Sequence, residues 1–446
     1  MNKLSLALAL LLPVCSCHEE QTIPVEIDVV LHIRDDNHTS PLLVTIENRT
    51  ESASSFLWTF EGGEPATSAK ENPGVVTFTA PGEHRITLEA WNDGDRASKT
   101  YTIRVDSAVT AAFRADVDIN NYAPATYRIT NLSSGGSSYR WTFEGGEPSS
   151  CEGQFPPAVT YAREGMYTIC LTIDNGSATF TATQEIEVRE SMAASFSIVP
   201  SFEDIDDMEA PLRATFDTRL QGVETLSWEC AGAVITDNTS VNASAYFPSA
   251  GQYTVCLNVS NGKETKQVSQ NITVKENTNL RTHKDIRLGI NTARETIGSV
   301  YSTKLRRVFR TSEITGSNGS FIDLVFFGLN RSFSYNLFVS PDNAGTTALP
   351  DIPNALPTKF INKTELGTIS LTSAQFEAMT TDALLRNMPI LSADYGDEFF
   401  TDTPLPRVVL FETADGRKGA ILVKEMVAGG TEDSYITADI KVQKND

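Results

Sequence analysis

The chain has 446 residues, with 57 acidic against 36 basic side chains and a formal charge of −21. That length fits three or four domains. A surface this acidic repels phosphate backbones and anionic head groups, which disfavours nucleic acid as a partner.

The chain opens with Lys3 and an apolar run from Leu4 to Val14. This is well short of the roughly 20 residues that cross a bilayer, so it reads as a secretion signal. The run ends in Val14-Cys15-Ser16-Cys17, which resembles a bacterial lipobox. The small Ser16 before Cys17 makes Cys17 the expected lipidation site; the alternative is an ordinary secretory signal whose cysteines are incidental. Several acyl chains anchor stably where one binds only marginally, so the mature chain is expected on a membrane. The following His18-Glu19-Glu20-Gln21 has two readings, a solvated linker or a patch similar to the outward-export signal of Bacteroidetes lipoproteins. Residues 1–16 are then the signal and 17–23 a lipidated acidic linker, with the rest of the chain beyond the inner membrane and the outer face of the outer membrane as its expected place.

A clean alternating strand begins at Val25, and Asp35-Asp36-Asn37-His38 is a turn cluster with too few oxygen ligands for calcium. Trp58-Thr-Phe-Glu-Gly-Gly-Glu-Pro65 then recurs word for word as Trp141-Thr-Phe-Glu-Gly-Gly-Glu-Pro148. In a strand, Trp58 and Phe60 share one face, as do Trp141 and Phe143; the Gly-Gly-Glu-Pro that follows forces the chain into a loop. Trp58 to Gly82 spans 24 residues, as does Trp141 to Gly165, and Trp228 to Gly251 spans 23. After each glycine comes an alternating strand, through His84, Ile86 and Leu88, then Tyr167, Ile169 and Leu171, then Tyr253, Val255 and Leu257. Three copies of one small sandwich, at 24–107, 108–190 and 191–276, account for the pattern. Each is expected to carry its own core, like beads on a string.

Trp-x-Phe, a Gly-Gly loop and Gly-x-x-x-(Val/Ile)-x-Leu closing on Asn92, Asn175 and Asn261 resemble the polycystic-kidney-disease (PKD) domain of secreted and surface proteins of Bacteroidetes. The third copy departs from it, since Trp228-Glu-Cys230-Ala-Gly lacks the Gly-Gly-Glu-Pro loop. The resemblance implies an immunoglobulin-like sandwich used for spacing and adhesion. Asp106-Ser107-Ala108 also matches a short pattern that receives O-glycans in Bacteroidetes, which makes Ser107 a modification candidate. Of the cysteines, Cys230 and Cys256 should point apart, whereas Cys151 on its loop can reach Cys170. The 151–170 bond and four free thiols both stay open. Glu203-Asp-Ile-Asp-Asp-Met-Glu209 is the densest acidic run and reads as an exposed, solvated insertion.

From Asn277 the repeat signature stops. Phe321 to Phe327 is almost continuously apolar, as in a strand covered on both faces. Thr372-Ser-Ala-Gln375 predicts a helix start, with Phe376, Met379 and Leu384 on its apolar stripe. Tyr435 to Gln443 predicts a last strand with Ile436, Ala438, Ile440 and Val442 inward. Residues 277–446 are therefore expected to be β-rich with one or two short helices, and the whole chain mainly β: tandem immunoglobulin-like sandwiches followed by this domain. Its Leu288-Gly289, Gly298-Ser-Val-Tyr-Ser302 and Ile322-Asp-Leu-Val-Phe-Phe327 resemble a C-terminal module of Bacteroidetes surface lipoproteins; the resemblance by itself implies no activity, and the genomic company such proteins keep suggests glycan capture.

No Gly-x-Ser-x-Gly, His-Glu-x-x-His, Cys-x-x-Cys or phosphate-cradling loop is present, and His283 is the one histidine after residue 276. Asp394, Asp397 and Glu398 could supply a glycosidase's carboxylates, but a polar loop is the preferred reading. No catalytic residue, metal or cofactor is therefore expected. A sugar would be met by Tyr335, Tyr395 and Phe399, the least clearly buried aromatics of this domain. The partner is expected to be a glycan, or alternatively another surface protein of an outer-membrane complex.

Overall fold

A computed structural model describes residues 22–391 and 396–444. The architecture is mainly β, built of antiparallel sheets with a few short helices. The chain divides into two compact units, the first comprising Met1–Ser195, Arg219–Leu226 and Asn258–Gln267, the second Phe196–Thr218, Ser227–Leu257 and Val268–Asp446. Among the described residues no helix is long and apolar enough to cross a membrane.

The first unit holds two pairs of facing sheets. In one pair, Val29–Ile33, Leu42–Asn48, Gly74–Phe78 and Gly63–Glu64 form one sheet, and Thr67–Ser68, Ser55–Phe60, Gly82–Trp91 and Arg96–Val105 the other. In the next, Val159–Tyr161, Ala125–Asn131 and Phe113–Val117 oppose Ser150–Glu152, Ser138–Phe143, Gly165–Asp174 and Thr179–Val188. Trp58 and Trp141 are completely buried at the centres. A buried indole needs an acceptor for its N–H, and each finds one twelve residues on: Trp58 Nε1 donates to the Lys70 carbonyl at 3.0 Å and Trp141 Nε1 to that of Gly153 at 3.1 Å. In the second unit Trp228 Nε1 donates to the Ser240 carbonyl at 3.0 Å, and the ring stacks on Phe216. Trp91 differs: it is half-buried beneath the Arg96 guanidinium.

The repeated Gly-Gly has a steric cause. Gly62 and Gly145 adopt φ of +76° and +72°, and a Cβ there would lie 2.7 Å from the His84 ring and 2.4 Å from the Tyr167 ring. Gly232, also four residues after its tryptophan, has φ +82° and faces Tyr253. The Trp228 segment therefore keeps the turn while lacking the Glu-Pro.

The strand sets are joined by a recurring contact. In the first unit, Thr39 bridges Asp106, and Asn175 Nδ2 donates to Thr39 Oγ1 at 2.8 Å and to the Ser107 carbonyl at 3.3 Å, while Ser177 Oγ donates to Asp106. At the corresponding place Tyr122 bridges Arg189, and the Asn258–Gln267 hairpin tip meets it. There Asn120 Nδ2 donates to the Asn261 carbonyl at 2.7 Å and Lys263 Nζ to that of Pro124 at 2.8 Å. In the second unit Glu209 bridges Lys275 and accepts from Thr278 N and Lys444 Nζ at 2.8 and 2.7 Å.

The Glu203–Glu209 run, expected as a solvated insertion, is instead a clasp on the C-terminal domain. Arg281 pairs with Glu203 at 3.1 Å, Arg306 with Asp206, and Lys444 with Asp207 at 2.8 Å, while Arg306 also lies over Phe202. The acidic run was visible; the cations that neutralise it are scattered from residue 281 to 444.

Of the two outcomes left open for the cysteines, the structure has the free thiols: Cys151 and Cys170 are not bonded, and all four described cysteines are free. Cys151 lies on a short strand, not a loop, paired with Trp141, whereas Cys170 pairs with Thr142. The thiols thus sit on opposite faces of the sheet, two strands or about 10 Å apart, beyond the roughly 7 Å that a disulfide tolerates between Cα atoms.

The C-terminal domain is a further two-sheet sandwich. Leu280–Gly289, Tyr435–Gln443, Lys418–Val427, Arg407–Glu412 and Lys359–Ile361 face Arg307–Phe309, Val300–Ser302, Leu324–Gly328 and Asn336–Val339. Leu324 and Phe326 enter the core between the sheets while Val325 and Phe327 enter a second core outside, which explains the unbroken apolar run. The helix Ser373–Ala378, boxed by Thr372 and Gln375, covers the outer face of the five-stranded sheet. Leu385, not the exposed Leu384, joins Phe376 and Met379 in that core. Lys441, expected outward, is buried there and donates to the Phe376 and Met379 carbonyls at 2.7 and 2.6 Å.

His283 is buried against Tyr301, and burial, with Arg281 and Arg306 next to it, lowers its pKa from 6.5 to about 4, against a weaker opposing pull from Asp206 and with a further push from Arg417. The folded chain holds the neutral ring, while the unfolded chain takes up a proton near pH 6.5. The stabilisation is complete above that pH and is lost as pH falls toward 4, by at most about 3 kcal/mol. Thermal unfolding followed from pH 7 to pH 4.5 should show a fall in Tm that is smaller in His283→Gln; an identical fall would remove His283 as its source.

Candidate functional site

Lys359–Ile361 and Asn336–Val339 are the end strands of the two C-terminal sheets, and a cavity of about 770 Å³ opens beside them. Its lining includes apolar Phe327, Leu337, Phe338, Val339 and Phe360 and polar Tyr335, Ser340, Asn343, Thr346 and Asp397. The volume lies within the roughly 300–1,000 Å³ of small-molecule clefts.

An exposed edge strand is open to pairing with another chain; at Asn336–Val339 that edge is met from within the chain. Fully buried Asn362 accepts from Phe338 N at 2.8 Å and donates to the Phe338 carbonyl at 2.9 Å, imitating a neighbouring strand. Its Nδ2 also donates to the Gly396 carbonyl at 2.6 Å. Four residues later, Phe400 exchanges backbone bonds of 2.8 and 3.0 Å with Asn336, and its buried ring lies under the Arg407 guanidinium, itself 2.5 Å from Glu365. Residues 396 and 400 are clipped down, so Asp397, Glu398 and Phe399 are presented between two fixed points.

The structure brings together two of the three aromatics expected to meet a ligand. Tyr335 and Phe399 stack with centroids 4.4 Å apart, and Phe327 meets Tyr335 edge-on. Lys363 Nζ lies 5.3 Å from the Phe399 centroid and 3.8 Å from Glu398. The rings therefore use faces on each other, and Phe399 keeps 39% of its surface exposed. Tyr395 and Asp394 lie outside the described residues, as does Cys17. Ser107 is exposed, and its carbonyl takes part in the Asn175 contact. Asp397 and Glu398 are both exposed, with Glu398 turned to Lys363. Among the described residues no group of three or more His, Cys, Asp or Glu side chains is placed to hold a metal ion.

The Tyr335 hydroxyl, the Asn343 amide and the Asp397 carboxylate have no protein hydrogen-bond partner among the described residues. Polar groups left open along an apolar wall can orient a small polar molecule. Asn343 and Asn362 had no local sequence signal, since what marks them is the gap between strands more than twenty residues apart.

The PKD domain profile matches residues 36–105. The chain is 27% identical to human polycystin-1 over 172 residues, which are 33% of this chain and 4% of that protein. Among solved structures, titin I-band domains I67–I69 align at 12% identity, covering 57% of this chain and all of theirs, with a TM-score of 0.29. A DUF4466 family protein from Parabacteroides merdae aligns at 11% identity over 75% of this chain and 99% of its own, with a TM-score of 0.26. The first three fibronectin-type domains of chicken CNTN1 align at 12% identity over 57% of this chain and 98% of theirs, with a TM-score of 0.21.

Removing the Asn362 amide strands three buried backbone groups, each worth about 1–3 kcal/mol when left unpaired. Asn362→Ala should lower the stability of the C-terminal domain by about 2 kcal/mol or more in denaturant unfolding. It should also speed hydrogen exchange of the Asp397–Phe400 amides but not of residues 22–190; unchanged exchange at 397–400 would remove Asn362 as the clip.

Proposed function

We propose that the chain is a lipid-anchored cell-surface protein in which tandem immunoglobulin-like sandwiches space a C-terminal recognition domain from the membrane, and that this domain binds glycans without acting on them. The observation that carries the glycan reading is the stacked Tyr335–Phe399 pair beside a cavity whose hydroxyl, amide and carboxylate have no protein partner among the described residues. Apolar ring surface next to unpaired polar groups matches a sugar, which carries C–H faces and hydroxyl edges. The PKD match at 36–105 supports the spacer role.

The anchor rests on the apolar run before Cys17 and on how the first strand set takes hold of the chain. Asn92 Nδ2 donates to the Ile23 carbonyl and Val25 N to Asp95, both at 2.9 Å, so five residues separate Cys17 from the first fixed position. Their reach is about 20 Å at most. The outer membrane, facing the exterior, is the proposed location, and Ser107 the proposed O-glycan acceptor.

In affinity electrophoresis of the full chain, a polysaccharide in the gel should retard the wild type, and Tyr335→Ala or Phe399→Ala should reduce that retardation about tenfold or more. Silence across a broad panel would shift the reading to a protein partner. Cells fed labelled palmitate should mark the wild type and leave Cys17→Ala unmarked; equal labelling would remove Cys17 as the anchor.

A further inference from the structure

The charge of the cavity narrows the ligand class. We infer that the cavity takes saccharides that carry neither carboxylate nor sulfate, with Asp397 accepting hydrogen bonds from ligand hydroxyls; this rests on the glycan reading above. Asp397 is the one ionisable carboxylate lining the cavity, and no Lys, Arg or His lines it among the described residues. The neighbouring cations are already paired, Lys363 with Glu398 beside the Phe399 ring, and Lys359 with Glu412 at 2.8 Å. An ionised carboxylate accepts and never donates, so it requires donors from the ligand, which hydroxyl groups supply and a second anion does not. A uronic acid or sulfated sugar would set like charges together with no counter-ion, a costly arrangement even at moderate dielectric.

The remaining polar groups fit the same class. Ser340 and Thr346 already spend their hydroxyl protons, on Asp342 and on the Asn343 carbonyl at 2.7 Å. Thr347 likewise donates to the Ala344 carbonyl, which leaves the Tyr335 and Thr358 hydroxyls and the Asn343 amide to serve as donors or acceptors toward ring and hydroxyl oxygens. On the apolar side, half-buried Leu337 and Val339 share one face of their strand, which suits the C–H face of a pyranose.

The test is a glycan array holding neutral and acidic saccharides, probed with the full chain in 0.3 M salt so that the field of the −21 surface is screened. The expected result is binding confined to neutral saccharides. Calorimetry on the strongest of them should then show about 10- to 100-fold weaker binding for Asp397→Asn, the loss of charge-assisted hydrogen bonds. Asp397 is exposed, so this variant should fold, which circular dichroism checks. Binding led by uronic or sulfated saccharides would overturn the inference and leave the glycan reading standing. An unchanged affinity in Asp397→Asn would overturn the assigned role of that carboxylate. An array with no binding at all would overturn the glycan reading itself, and this inference with it.

Discussion

A buried indole must bring an acceptor with it, and that requirement shapes the first two-thirds of this protein. Trp58, Trp141 and Trp228 each fill the centre of a strand set and each donates to a carbonyl twelve residues later. Meeting that demand fixes where the chain must return after its Gly-containing turn, and the left-handed glycine four residues after each tryptophan makes the return sterically open. Truncating such a ring to alanine typically costs about 3–5 kcal/mol, a large share of the margin by which any single domain stays folded.

The same economy appears at the joints. Asn175 reaches across to the Thr39 and Ser107 end of the preceding strand set. The backbone carbonyl of Asn261 receives Asn120, and Lys263 adds a charged contact. In the first strand set Asn92 instead holds Ile23. In each case a residue near a hairpin turn supplies the contact. At Glu209 the contact becomes ionic, because the partner surface there carries Arg281, Arg306 and Lys444.

The C-terminal domain solves a different problem. Both faces of its central strand Leu324–Gly328 are buried, so the open positions of the sandwich are its strand ends, and the cavity lies at one of them. Asn362 stands in for a missing strand while tethering the segment that presents Asp397 and Phe399. One side chain thus pairs with the sheet edge and holds the segment that carries Asp397 and Phe399.

The sequence by itself determined the β class, the three buried tryptophans, the doubly covered strand and the capped helix at Thr372. Each depends on the alternation of neighbouring residues or on a cap a few positions away, which local order preserves. Tertiary structure alone decided that Cys151 and Cys170 lie back to back on one sheet, that the 203–209 carboxylates clasp cations up to 237 residues away, and that Lys441 is buried under a helix. It also decided that Tyr335 and Phe399 stack beside Asp397. Those outcomes turn on which faces and strand ends meet in space, and a pairing between distant strands leaves no period along the chain from which it can be read.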